Sequence, residues 1–80
     1  MPSLSQLPDG IKQKKFLKAL EKVGFRISTK GGNGSHCKAI WTNEKSVTIQ
    51  YDLRKDMLYV ILKEIKVISG VDWDEIKKHL

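Results

Sequence analysis

His36-Cys37-Lys38-Ala39-Ile40-Trp41-Thr42, Asn43-Glu44-Lys45 and Ser46-Val47-Thr48-Ile49-Gln50-Tyr51 form the stretch that decides the fold. Side chains along a strand point alternately to opposite faces, so a half-buried strand alternates apolar and polar residues. Residues 36–42 read as one such strand, with Cys37, Ala39 and Trp41 on one face and His36, Lys38 and Ile40 on the other. Residues 46–51 read as a second, with Val47, Ile49 and Tyr51 opposite Ser46, Thr48 and Gln50. The Asn-Glu-Lys between them has the length of a hairpin loop. Upstream, Phe25, Ile27 and Thr29 alternate with Arg26, Ser28 and Lys30, and Gly31-Gly32-Asn33-Gly34 is a strong turn signal. Connections this short favour antiparallel pairing.

The flanks change period. Phe16, Leu17, Leu20 and Val23 recur at helical spacing, with Asp9 as the expected N-cap and Gly24 as the exit. The first eight residues, with Pro2 and Pro8, read as an extended lead-in. Leu58, Ile61, Leu62 and Ile65 predict a second helix over residues 54–68, ended by Gly70. Asp72-Trp73-Asp74-Glu75 has the form of a capping-box variant opening a last short helix that runs to Leu80. The predicted order is α-β-β-β-α-α: an α+β domain with a three-stranded antiparallel sheet and helices packed on one face.

Eighty residues with 40% hydrophobic content suit one small domain with a compact core. Fifteen Lys and Arg against nine Asp and Glu give a net charge of +6, which favours an acidic partner. No apolar run approaches the ~20 residues needed to span a bilayer, and no secretory leader is recognisable at the N-terminus. No membrane partner is therefore expected. The single Cys37 permits no intramolecular disulfide, which fits a reducing cytoplasm.

Sorting the strands by face yields an open polar side with Arg26, Ser28, Lys30, His36, Lys38, Thr48 and Gln50, and no carboxylate. Antiparallel sheets commonly have one solvated face; the cationic bias is what sets this one apart. His36 opens its strand directly after Gly34-Ser35. Imidazole exchanges protons near neutral pH, so a histidine among cations points to chemistry on a polyanion such as the RNA backbone. Trp41 and Trp73 read as core anchors, and Tyr59 as a candidate partner contact.

With these residues in view, the chain resembles the HicA-type (YcfA-like) toxins, the small RNA-cleaving partners in HicA–HicB toxin–antitoxin pairs. The resemblance runs nearly the whole length: Phe16-Leu17-Lys18-Ala19-Leu20-Glu21-Lys22-Val23-Gly24-Phe25, Gly34-Ser35-His36, Leu58-Tyr59-Val60-Ile61-Leu62-Lys63 and Val71-Asp72-Trp73-Asp74-Glu75-Ile76 occur in the family's order. It implies a double-stranded-RNA-binding-domain-like fold, cleavage of mRNA that depends on the motif histidine, here His36, and neutralisation by a HicB-like antitoxin covering the active surface. Two departures stand out. Lys55-Asp56-Met57-Leu58 replaces the family's Lys-Gly-Thr-Leu-like start of the second helix, and its carboxylate opposes a phosphate there. Gly31-Gly32-Asn33 enlarges the loop before the motif.

The chemistry these residues support is metal-independent. The RNA 2′-hydroxyl attacks the adjacent phosphate, His36 acts as general base or acid, and Lys38, Lys30 and Arg26 offset the charge of the transition state. Ser28 lies on the same face, and backbone N–H groups of the loop through Gly34 and Ser35 add an anion-binding concavity. A zinc site needs about four ligands, and the chain has one Cys and two His; no metal or other cofactor is expected. Cys37 belongs to the presumed core face, where a thiol is more often packing than nucleophile. Three other readings stand beside the toxin. One is a non-catalytic RNA-binding module, and another is an inactive homologue that binds only its antitoxin. The third is a helix-turn-helix DNA binder over residues 54–80, whose last helix would present Asp72, Asp74 and Glu75 to phosphates.

Overall fold

A computed structural model describes residues 4–28 and 36–80. A 3-10 turn at Leu4–Gln6 leads into β1 (Gly10–Lys12), α1 (Gln13–Val23), β2 (Arg26–Ser28), β3 (His36–Ile40), β4 (Ser46–Gln50), β5 (Asp52–Arg54), α2 (Lys55–Ser69) and α3 (Trp73–Lys77). The expected antiparallel sheet is present in the order β2-β3-β4, and β1 and β5 form a separate two-stranded ribbon. The α+β layout follows the alternation and the helical spacing; the ribbon was not expected.

One face of the sheet supplies Ala39, Val47 and Ile49 to a core that also contains Phe16, Ala19 and Leu20 of α1, and Leu58, Ile61, Leu62 and Ile65 of α2. Trp73 and Ile76 of α3 and Leu53 of the ribbon complete it. Burying each large apolar side chain contributes about 1.5–3 kcal/mol before entropy is counted. Burial, more than capping, holds α1. Its N-cap, Lys12, makes no side-chain capping bond, and its first turn has no acidic residue; Lys14 and Lys15 there oppose the helix dipole. At the other end Gly24 adopts φ 117°, and the Phe25 N–H donates to the Leu20 carbonyl at 2.9 Å, closing a Schellman-type exit. A Cβ at Gly24 would lie 3.1 Å from the Trp41 ring. Glycine is required there twice over. Phe25 and Trp41 pack beside it with ring centroids 4.7 Å apart and planes tilted by 48°.

Several boundaries differ from expectation, each for a physical reason. Asp9 does not cap α1, because residues 10–12 pair with residues 52–54 and the helix begins only at Gln13. The Asp9 carboxylate instead meets Lys55 Nζ at 3.2 Å. The lead-in is not merely extended, since it folds into a 3-10 turn and buries Leu7. Asp72 holds the N-cap position of α3 but makes no side-chain capping bond. Its carboxylate accepts from Lys66 Nζ at 3.0 Å, a stronger charged partner. α3 stops at Lys77, short of Leu80. Tyr51, expected on the core face, is 70% exposed, because β4 ends at Gln50 and the chain bends into the ribbon.

The hairpin loop is as anticipated and is locked to α2. Trp41 N–H donates to the Lys45 carbonyl at 2.8 Å. Asn43 accepts from Lys45 N–H at 3.0 Å and donates from Nδ2 to the Ile68 carbonyl at 2.9 Å. Gly70 ends α2 in the left-handed conformation, its N–H donating to the Lys66 carbonyl at 2.9 Å. No helix of the described residues is long and apolar enough to cross a membrane.

Candidate nucleic-acid interface

The register of the sheet builds the site. Residues directly opposite one another in a sheet share a face. His36 pairs with Gln50, Lys38 with both Ser28 and Thr48, and Ile40 with both Arg26 and Ser46. Three transverse rows therefore line the face away from the helices: His36–Gln50, Ser28–Lys38–Thr48 and Arg26–Ile40–Ser46. His36, Lys38, Thr48, Ser46 and Arg26 are exposed, while Ser28, Ile40 and Gln50 are half-buried. Their strand neighbours Cys37, Ala39, Val47 and Ile49 are buried on the other side. Of the residues expected to bind RNA, Arg26, Ser28 and Lys38 thus share a face with His36. Lys30, Gly34, Ser35 and the rest of the turn lie outside the described residues.

Spacing sorts these groups by what they can reach. Two residues along a strand advance about 7 Å, so Lys38 stands one row from His36 and can meet the same phosphate. Arg26 belongs to the row of Ile40, about 13–14 Å along the strand from His36. It stands two rows of the sheet away from the imidazole. The face is also not free of carboxylate. Glu44, in a left-handed turn conformation (φ 70°), reaches Arg26 Nη2 at 3.9 Å from the hairpin loop. Both groups are largely exposed, so solvent and salt screen that pair.

Other candidates are resolved by position. Cys37 is buried at 6% exposure, which fits packing and not a nucleophile. No group of three or more His, Cys, Asp or Glu suited to a metal ion occurs among the described residues. Tyr59 is half-buried against the core, away from the open sheet face. The start of α2 is occupied by its own chain: Asp56 Oδ1 accepts from Met57 N–H at 2.9 Å, and Lys55 is paired with Asp9. α3 turns Trp73 and Ile76 inward and leaves Asp74 and Glu75 exposed, so the outward side of its first turn is acidic.

Charge is unevenly distributed. Residues 52–80 contain six Lys or Arg and six Asp or Glu, whereas residues 10–28 contain six Lys or Arg and only Glu21. The positive field therefore originates in the first half of the chain. Much of it stands on α1, where Lys14, Lys18 and Lys22 recur every four residues on the exposed side opposite Phe16, Ala19 and Leu20. Like charges at that spacing cost a helix a few tenths of a kcal/mol per pair, a cost that a bound polyanion would offset. The signal of this in the sequence is five lysines against the single acid Glu21 over residues 12–22. Among known proteins, no family model, no curated protein and no solved structure matches the chain, so the function must be read from its own residues.

Proposed function

We propose that this chain is an RNA-cleaving toxin of the HicA type with a double-stranded-RNA-binding-domain-like arrangement, acting in the cytoplasm and neutralised by a HicB-like antitoxin that covers the open sheet face. The supporting observation is the strand register, which sets an exposed His36 one row from Lys38 and Ser28, over a sheet whose other side is sealed by helices. In this reading a single-stranded segment lies across the three rows. The ribose 2′-hydroxyl attacks the neighbouring phosphorus, the 5′-oxygen leaves, and the products are a 2′,3′-cyclic phosphate and a 5′-hydroxyl. His36 takes the proton from the nucleophile or gives one to the leaving oxygen, and solvent water carries the other proton. Lys38 offsets the charge that builds on the non-bridging oxygens. Arg26 holds the strand farther along, and Ile40 gives that row an apolar contact for a base or a partner side chain.

Labelled single-stranded RNA tests this. The wild-type protein should cut RNA and leave DNA of the same sequence intact, because DNA lacks the nucleophile. His36→Ala should lose about 10²–10⁴-fold in rate with an unchanged circular dichroism spectrum. Equal cleavage by the variant contradicts the reading. One observation favours a second: His36 is the only imidazole among the described residues of this face, while two-proton chemistry ordinarily uses two groups. A non-catalytic RNA-binding module of the same fold would retard the RNA and leave it whole.

A further inference from the structure

Tyr51 is the only exposed Phe, Trp or Tyr among the described residues, at 70%. A single exposed ring needs no explanation in itself. Its surroundings are what matter. It borders a groove of about 700 Å³ between the β1–β5 ribbon and the first turn of α1, floored by Ile11 and Leu53 and edged by Lys12, Lys14 and Asp52. Among the described residues neither lysine is in an ion pair, whereas the Asp52 carboxylate is already met by Arg54 Nε at 3.0 Å. A concave site of this volume is in the range that takes small organic groups.

Tyr51 also follows Gln50, the residue paired with His36. The Cα–Cα step along a chain is 3.8 Å and that across a pair at most about 5.5 Å. The Cα of Tyr51 therefore lies within about 9 Å of that of His36. This is comparable with the advance of one nucleotide or two along a single strand.

We propose that this groove is a nucleotide subsite, in which Tyr51 stacks on a base of single-stranded RNA and Lys12 and Lys14 bind the adjoining phosphates. The subsite rests on the RNA reading above and extends it, carrying the strand from the His36 end of the sheet past Tyr51 toward the Lys14–Lys18–Lys22 row of α1. An aromatic platform flanked by cations is the arrangement by which single strands are held without base-specific hydrogen bonds. The groove should therefore accept any base and favour unpaired RNA over duplex.

The test is fluorescence anisotropy with a labelled 2′-O-methyl RNA 12-mer, which cannot be consumed because its 2′-oxygen is blocked. Tyr51→Ala should weaken binding roughly 5- to 150-fold, the usual range for one stacked base, and Tyr51→Phe should stay within about twofold of wild type. Lys12→Gln/Lys14→Gln should make the slope of log affinity against log salt shallower by about 1.4, at about 0.7 per phosphate contact on a single strand. Unchanged binding by Tyr51→Ala, with wild type still binding, overturns the subsite and leaves the RNA reading standing. Equal losses in Tyr51→Ala and Tyr51→Phe also overturn it, since the ring would not be the contact. Absence of any binding by wild type, together with absence of cleavage of unmodified RNA, overturns both.

Discussion

The three-stranded sheet and the two-stranded ribbon are built from the same kind of antiparallel pairing, yet they are stabilised and read differently. β3 and β4 each show alternating exposed and buried residues, so their burial is written in a local pattern. β1 and β5 are three residues each and contribute one inward side chain apiece, Ile11 and Leu53, which face each other in register. A two-stranded ribbon is marginal alone, and this one is held because Leu53 joins the same core as the sheet and Ile11 packs against it. The sheet sets the imidazole in a register of paired rows. The ribbon turns the chain sharply at Tyr51 and opens the groove beside it.

If the ribbon draws its stability from the shared core, Leu53→Ala should cost as much as a change in the sheet. Ile49→Ala and Leu53→Ala should each destabilise by about 2–5 kcal/mol in urea unfolding, in one cooperative transition. A Leu53→Ala protein with an unchanged midpoint would show the ribbon to be an appendage. Gly24→Ala should cost less, about 1–3 kcal/mol, from left-handed backbone strain and from contact with Trp41. A melting temperature equal to wild type would refute that account of the α1 exit.

The seam between ribbon and sheet is finer still. Gln13 Nε2 donates to the Ile49 carbonyl at 3.1 Å, tying the start of α1 to β4. Gln13→Ala should cost about 0.5–1.5 kcal/mol and speed hydrogen exchange in β5 more than in β3. Uniform exchange rates would dissolve the distinction between the two regions. Smallest of all, Glu44→Gln should shift stability by no more than about 0.5 kcal/mol, because its pair with Arg26 is exposed. If RNA uses that end of the face, the same change should tighten binding slightly at low salt.

How far the fold was legible follows the same division. The strands over β2, β3 and β4, the helix exits at Gly24 and Gly70 and the hairpin loop were visible, because each has a residue-by-residue signal of period or conformation. Gly10-Ile11-Lys12 and Asp52-Leu53-Arg54 hold one apolar residue each, too short for a period to register. Their pairing joins segments some forty residues apart, which no local window can see. The ribbon accounts for two further differences, at Asp9 and at Tyr51. Asp9 looked like a cap because residues 10–12 looked helical, and Tyr51 looked buried because β4 seemed to continue through it. Asp72 went astray for a different reason: its competing partner, Lys66, lies six residues back across a turn. For the site, alternation alone brought His36, Lys38, Ser28 and Arg26 to one face. The separation of Arg26 from His36 required the register, and the reach of Glu44 required the turn geometry.

Amide chemical-shift mapping tests most directly whether nucleic acid lies on the open sheet face and turns past Tyr51. On titrating 15N-labelled protein with the 2′-O-methyl RNA, shifts should concentrate at His36, Lys38, Thr48, Gln50, Tyr51 and Lys14, with the amides of α3 and the second half of α2 unmoved. Perturbations confined to α2 and α3, with His36 and Lys38 silent at saturation, would contradict it.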